Sequence, residues 1–239
     1  MMPQTAMLLA AGLGTRMRPI TDYTPKPLVK VAGKSLIDWT LDQLAAANVP
    51  RAIVNVHHHA PLMIEHLNAR NAPAITISDE TETLLDTGGG VVNALPLLGN
   101  NPFFAFNCDA IILDGKTPML NRLAASWHDG LDVLMLVHPL DTAHGFDGAG
   151  DFFVDTAGIM KRRGDAARAP YVYAGAAIMH PRLFAGEAAV PFSLNRLWNT
   201  ALAPGRMRAV VHDGAWYHVG TPQAVTETTA LLTPLPANV

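Results

Sequence analysis

The sequence holds a single cysteine, Cys108, in 239 residues. An intrachain disulfide framework is therefore excluded, and a reducing, cytoplasmic setting is the expectation. Charge is also sparse. Asp, Glu, Lys and Arg make up 15% of the chain and the formal net charge is −3. With no long basic stripe, nucleic acid is not expected as a partner. No run approaches the ~18 apolar residues of a bilayer span, so no membrane is expected either. Lys and Arg are missing before Arg16 and Gly12 breaks the first apolar run, a pattern unlike a secretory signal. A Walker A loop, a complete G-x-G-x-x-G, a Ser-His-Asp set and a Cys-His set are all lacking, as are internal repeats and low-complexity segments.

What the chain does have is concentrated in residues 8–34, LLAAGLGTRMRPITDYTPKPLVKVAGK. An apolar run at 6–11 reads as a buried parallel strand and breaks into Gly12-Leu13-Gly14-Thr15-Arg16. Two glycines one residue apart let the backbone turn sharply and bring N–H groups against an anion. Arg16, Arg18, Lys26, Lys30 and Lys34 follow against one acid, Asp22, a local +4 in an acidic chain. The simplest partner for such a loop is a polyphosphate. Pro25 and Pro27 restrict the backbone on either side of Lys26 and so limit where its ammonium can go.

Downstream, strands and helices alternate. Ser35 caps a helix with Asp38 three residues on, and Ile37, Leu41 and Leu44 share one face. Strands are expected at 52–56, 75–78, 103–107 and 132–138, with helices at 61–67, 87–97 and from Thr117-Pro118. His57-His58-His59 reads as loop and helix entry, because consecutive side chains do not converge easily on one ion. Thr87-Gly88-Gly89-Gly90 opens a helix whose glycine amides permit close contact with a ligand. After residue 138 the rhythm changes to a hairpin at 152–154 and 159–162, a strand at 171–179 and a helix at 193–202. Strands at 206–212 and 216–219 and a helix from Thr221-Pro222 to about 232 complete the chain, and 234–239 reads as a frayed tail. The pattern implies one α/β domain with a mostly parallel sheet wound on both faces, its ligands beyond the strands' C-terminal ends. Gly12 to Arg16, Thr87-Gly88 and Asp109 each follow a strand, so they share that edge.

Such a pocket suits phosphoryl or nucleotidyl transfer, which needs charge neutralisation and positioning more than covalent chemistry. Arg16 can offer several donors to a triphosphate, and Lys26 a point charge to the reacting phosphate. Asp109, at the end of an apolar strand, is a costly carboxylate unless paired. Mg²⁺ shared with triphosphate oxygens would pair it. Cys108 reads as a packed residue rather than a nucleophile.

Gly12-x-Gly14-Thr15-Arg16-x-Arg18-Pro19 followed by Pro25-Lys26-Pro27-Leu28 resembles the signature of sugar-phosphate nucleotidyltransferases. The resemblance covers nearly the whole chain. It implies a Rossmann-like three-layer, glycosyltransferase-A-like fold with a mixed sheet, a nucleotide-binding part at about 1–137 and a sugar-binding part at about 138–232. It implies catalytic roles for Arg16, Lys26 and Asp109. Nucleotide contacts are expected from Ala10, Ala11, Gly12, Gly14, Thr15, Arg16, Glu82, Thr87, Gly88 and Asn107. Sugar contacts are expected from Tyr173, Gly175 and Asn195, and metal ligation from Asp109 and His218. The family's added left-handed β-helix is not expected. The implied partners are a nucleoside triphosphate and a sugar 1-phosphate, with a monomer or small homo-oligomer as the assembly. UTP and N-acetylmuramic acid 1-phosphate are favoured, in cell-wall recycling. Guanylyl transfer to mannose 1-phosphate and thymidylyl or uridylyl transfer to glucose 1-phosphate stay open. His218 stands where most relatives carry a second metal-binding Asp. Imidazole suits Mg²⁺ less than carboxylate does, so Mn²⁺ or Co²⁺ is possible, and a non-catalytic nucleotide-sugar-binding subunit is the reading of another class.

Overall fold

The computed structural model describes residues 1–233, so the expected frayed tail lies outside the described residues. In chain order the elements are β1 (Thr5–Leu9), β2 (Lys30–Val31), β3 (Lys34–Ser35), α1 (Leu36–Ala46), β4 (Arg51–Val56), α2 (Ala60–Asn68), β5 (Ala74–Asp79), α3 (Asp86–Leu98), β6 (Phe103–Asn107) and β7 (Ala110–Ile112). There follow α4 (Met119–Ser126), β8 (Val133–Pro139), β9 (Phe152–Val154), β10 (Met160–Arg162), β11 (Tyr171–Met179), α5 (Asn195–Leu202), β12 (Met207–Val211), β13 (Trp216–His218) and α6 (Pro222–Leu232).

One nine-stranded sheet runs through the described residues. Its first part is parallel, in the order β5, β4, β1, β6. Beyond β6 the direction reverses. β11 pairs antiparallel with β6 and then with β8 and β9, and β12 pairs parallel with β8. The sheet is therefore mixed. Successive side chains leave a strand on opposite faces, and each face is buried. Ala6, Leu8, Phe104 and Phe106 join Leu41 of α1, Met63 of α2 and Leu123 of α4 in one core. Met7, Phe103, Ala105 and Met135 join Val91 of α3 and Leu197 of α5 in the other. Three layers result, helix on sheet on helix.

Ser35 caps α1 by accepting from the Asp38 amide, and its hydroxyl donates to the Asp38 carboxylate at 2.6 Å. The three histidines serve local structure. His57 Nδ1 lies 2.7 Å from the Glu80 carbonyl, His58 Nε2 lies 3.0 Å from the Thr21 carbonyl, and His59 enters α2 in the left-handed region.

Two short pairings that no periodicity announced complete the frame. β2 and β3 form a hairpin, and β7 pairs antiparallel with β13 so that His218 stands opposite Ala110. These pieces close over a third core of Met17, Val29, Val31, Leu36, Ile111, Tyr217 and Val219. Trp216, fully buried, donates from its indole to the Ala174 carbonyl at 2.8 Å and so fastens the ribbon to β11. Trp216→Phe keeps an aromatic ring but removes the indole N–H and part of the buried volume, leaving that bond to the Ala174 carbonyl unmade. Urea unfolding is expected to show a loss of about 1–3 kcal/mol; an unchanged midpoint would mean the indole bond contributes nothing.

Candidate active site

The carboxyl ends of β1, β4 and β6 open on a cavity of about 540 Å³. Its wall includes Ala10, Ala11, Gly12, Gly14, Thr15, Arg16, Lys26, Asn55, Thr87, Asn107, Asp109 and Gly220. A smaller cavity of about 260 Å³ adjoins it and shares Asp86, Thr87 and Asn107. Its own wall carries Asp151, Phe152, Arg162, Tyr173, Asn195 and Trp198. The antiparallel pairing of β11 with β6 sets the two side by side.

The loop after β1 owes its shape to Gly14 more than to Gly12. Gly14 has φ +63°, and a Cβ there would stand 2.9 Å from Thr21 Cγ2 and 3.0 Å from Lys26 Cβ. The loop therefore packs on the stem of Lys26. A Cβ at Gly12 would meet nothing within 4 Å, and the residue is exposed. Lys26 Nζ reaches 3.0 Å from Asp109 Oδ2 across 83 residues of chain. Burial alone would raise the Asp109 pKa; Lys26, His218 and Arg16 outweigh it and hold the carboxyl below its ordinary value. Of the five cations that follow β1, only Arg16 and Lys26 reach the cavity. Arg18 pairs with Asp22 at 3.2 Å, Lys34 pairs with Asp42 at 2.7 Å and lies over Trp39, and Lys30 is an exposed hairpin residue.

His218 comes beside Asp109 through the β7–β13 register, and the Val219 amide donates to the Asp109 carbonyl at 2.8 Å. Its ring stacks on Trp216 and meets Phe146 edge-on. A Cβ at Gly220 would stand 2.7 Å from His218 Nε2 and 3.4 Å from Arg16 Nη1. Burial lowers the His218 pKa, with Lys26 and Arg16 adding to it and Asp109 opposing, so the imidazole is neutral near pH 7. Among the described residues no three His, Cys, Asp or Glu side chains gather into a metal-sized cluster.

The Thr87-Gly88-Gly89-Gly90 run opens α3, but its glycines serve packing. The Gly88 and Gly89 amides donate to the Phe192 carbonyl at 2.8 and 3.4 Å. A Cβ at Gly88 would overlap the Phe192 ring and one at Gly89 the Val190 carbonyl. Thr87 Oγ1 accepts from the Leu194 amide at 3.0 Å. Thus the segment leading into α5 is fastened to α3, with Thr87 in both cavity walls. Glu82 is exposed and lies outside both walls; Gly175, buried, is also outside them, and its φ of +86° falls at a bulge in β11 opposite Asn107.

Two participants escaped sequence reasoning. Asn55 and Glu80 are 2% and 3% exposed. Asn55 Oδ1 accepts from the Ala10 amide at 2.6 Å, and its Nδ2 donates to Glu80 Oε1 at 2.7 Å. Glu80 Oε2 accepts from the Leu85 amide at 3.1 Å. Burial raises the Glu80 pKa against these hydrogen bonds. The chain of bonds holds the strand end at Ala10 and the loop before α3 in fixed relation. An Asn at the inner end of the apolar strand Ala-Ile-Val-Asn-Val was the available signal.

The nucleotidyl transferase family model matches residues 5–148. An N-acetylmuramate alpha-1-phosphate uridylyltransferase of Caulobacter vibrioides is 45% identical over 227 residues, covering 93% of this chain and 94% of the relative. The protein of the same name from Neisseria meningitidis serogroup B is 32% identical, covering 95% and 97%. An inositol-1-phosphate CTP transferase from T. maritima superposes with a TM-score of 0.77 over 96% of each chain at 18% identity, a likeness of fold.

Gly14→Ala and Gly12→Ala separate packing from ligand approach. Gly14→Ala is expected to cost about 1–2 kcal/mol for the left-handed backbone, and more from crowding Lys26. Gly12→Ala should leave the unfolding midpoint unchanged, with any defect confined to ligand affinity. Denaturant titrations of both variants check the contrast, and a large stability loss in Gly12→Ala would refute it. Asn55→Ala strands the Ala10 amide and one Glu80 oxygen, and a loss of about 1–3 kcal/mol is expected in the same assay.

Proposed function

The chain belongs to the nucleotidyl transferase family, and from that membership we propose that it joins UTP to N-acetylmuramic acid α-1-phosphate, forming the UDP-sugar and releasing pyrophosphate. The observation that carries the substrate choice is the 45% identity to the Caulobacter uridylyltransferase over 94% of that protein's length. The geometry supports the reaction class. Arg16, Lys26 and Asp109 face one cavity beyond the parallel strands, and a second, aromatic-walled cavity adjoins it.

An oxygen of the acceptor phosphate attacks the nucleotide's α-phosphorus, a new P–O bond forms, and the bond to the bridging oxygen breaks toward pyrophosphate. The acceptor needs no general base, since a phosphate monoester's second pKa is ~6. Lys26, held by Asp109, supplies a fixed positive charge to the reacting phosphates. Arg16 offers its fork of donors to the charge gathering on the leaving group. In this reading Gly12, Gly14 and Thr15 bring backbone to the triphosphate, and Tyr173 and Asn195 face the sugar.

A divalent cation fits this donor set. Asp109 has one oxygen on Lys26 and one free of it, and neutral His218 adjoins it. Two protein groups are what Mg²⁺ uses when substrate phosphates complete its shell. When bound, the ion neutralises triphosphate charge, and the imidazole tilts preference toward Mn²⁺ or Co²⁺.

The test is pyrophosphate release over a panel of nucleoside triphosphates and sugar 1-phosphates with Mg²⁺, Mn²⁺ or chelator. UTP with N-acetylmuramic acid 1-phosphate is expected to give the highest kcat/KM, and chelator to abolish it. Faster turnover of GTP with mannose 1-phosphate, or of dTTP with glucose 1-phosphate, would overturn the substrate choice. Nucleotide-sugar binding without any release would favour the non-catalytic reading. Arg16→Ala is expected to lower kcat about 10²–10³-fold, and Lys26→Ala to raise the KM for sugar 1-phosphate as well as lower kcat.

A further inference from the structure

The smaller cavity contains a cation that the reaction above does not use. Arg162, at the end of β10, is the one basic residue in its wall among the described residues. It forms no ion pair with any described carboxylate. Instead Nε donates to Asn199 Oδ1 at 3.0 Å, Nη1 to Asn195 Oδ1 at 2.9 Å, and Nη2 to the Asn195 carbonyl at 3.4 Å. A guanidinium carries five N–H donors, so two stay unspent. Its Cζ lies 5.0 Å from the Phe152 ring centroid and 5.8 Å from that of Trp198.

The two carboxylates of the same wall each accept a backbone amide and form no salt bridge with Arg162. Asp86 accepts from the Thr87 amide at 2.5 Å, and Asp151 accepts from the Tyr173 amide at 2.9 Å. A half-buried guanidinium whose hydrogen-bond partners are all neutral, with its nearest acid, Asp151, making no salt bridge to it, has charge and donors to spare for a ligand. Partial burial lowers the Arg162 pKa, and the charge of Asp151, which forms no salt bridge with it, opposes that shift only in part. The acceptor phosphate is not that ligand in this geometry, because Arg16 and Lys26 serve the phosphates in the larger cavity. What the smaller cavity calls for is a second anionic group on the sugar itself.

We propose that Arg162 binds the lactyl carboxylate of the acceptor and makes the second cavity select an acidic hexosamine 1-phosphate over its neutral counterpart. The inference rests on the reading of the acceptor as N-acetylmuramic acid 1-phosphate. That sugar is N-acetylglucosamine with a lactyl ether at one hydroxyl, so the two 1-phosphates differ by the group in question. The planar fork can take both carboxylate oxygens, which a lysine cannot.

Steady-state kinetics of the full chain with UTP and each of the two acceptors tests it, N-acetylglucosamine 1-phosphate being read as a competitive inhibitor if it turns over too slowly. In Arg162→Met, KM for the muramyl acceptor is expected to rise about 10- to 100-fold, the range of a lost charge-assisted hydrogen bond. Its kcat should stay within about threefold, and the constants for the glucosamine acceptor should change several-fold less than the muramyl KM does. Arg162→Lys keeps the charge without the fork and should fall between, about 3- to 10-fold; it also carries the test if Arg162→Met does not fold. Equal losses with both acceptors would overturn the assignment, showing that Arg162 only clamps α5 or touches the shared phosphate. An unchanged preference for the muramyl acceptor in both variants would overturn it too and leave the substrate reading standing. A wild-type protein that uses only neutral sugar 1-phosphates would bring down the substrate reading and the assignment together.

Discussion

The ion pair between Lys26 and Asp109 ties together what the rest of the site depends on. One member follows the loop after β1; the other lies just past the end of β6 on the neighbouring strand. Each side chain is largely out of water, with 13% and 29% of its surface exposed. Removing either would leave the other buried and uncompensated, the situation in which a buried charge is most costly. The pair also explains the glycine loop. Gly14 lies so close to Lys26 that a methyl group would touch its stem, and the turn that brings Arg16 to the same cavity starts there. Cation, carboxylate and loop are one packed unit rather than three independent motifs.

The second constraint is the reversal of the sheet after β6. Four parallel strands bring their loops to one edge, as the alternating pattern requires. Had the sheet continued parallel, β11 would have presented the far ends of its residues to that edge. Running antiparallel, it lays Gly175 against Asn107 and carries Tyr173 into the wall of the smaller cavity next to the larger one. The packed glycines of α3 then hold the approach to α5 against it through Phe192 and Leu194. Two adjoining cavities result, sharing Asp86, Thr87 and Asn107 in their walls.

Electrostatic economy runs through the molecule. Of the five cations after β1, three are engaged or left in solvent, and two are kept for the cavity. Net charge and composition said nothing of this division. It follows from which acids lie close: Asp22 one helical turn from Arg18, Asp42 beside Lys34, and Asp109 alone at the end of a buried strand. The loop's local excess of positive charge was visible; its allocation was not.

From residue order alone one could read helices on both faces of a sheet, nearly every long strand and helix, and the edge that Gly12 to Arg16, Thr87 and Asp109 share; that Lys26 joins them there came from the structure. These features are local or periodic. Alternation along a strand, one apolar face on a helix, a capping Ser35 and a glycine that must take positive φ all act within a few residues. The strand at 216–218 was legible, but only the tertiary structure decided its partner, the three-residue β7, and so the β7–β13 ribbon. It alone gave the triple glycine a packing role, set Gly175 at a bulge outside both cavities, and left Glu82 exposed while Glu80 was buried. It alone joined Ala10, Asn55 and Glu80 into one chain of hydrogen bonds, and left Arg162 in a cavity wall without a salt bridge. A polar residue's role depends on which group stands within about 3 Å of it, and for these residues that group comes from a distant part of the chain.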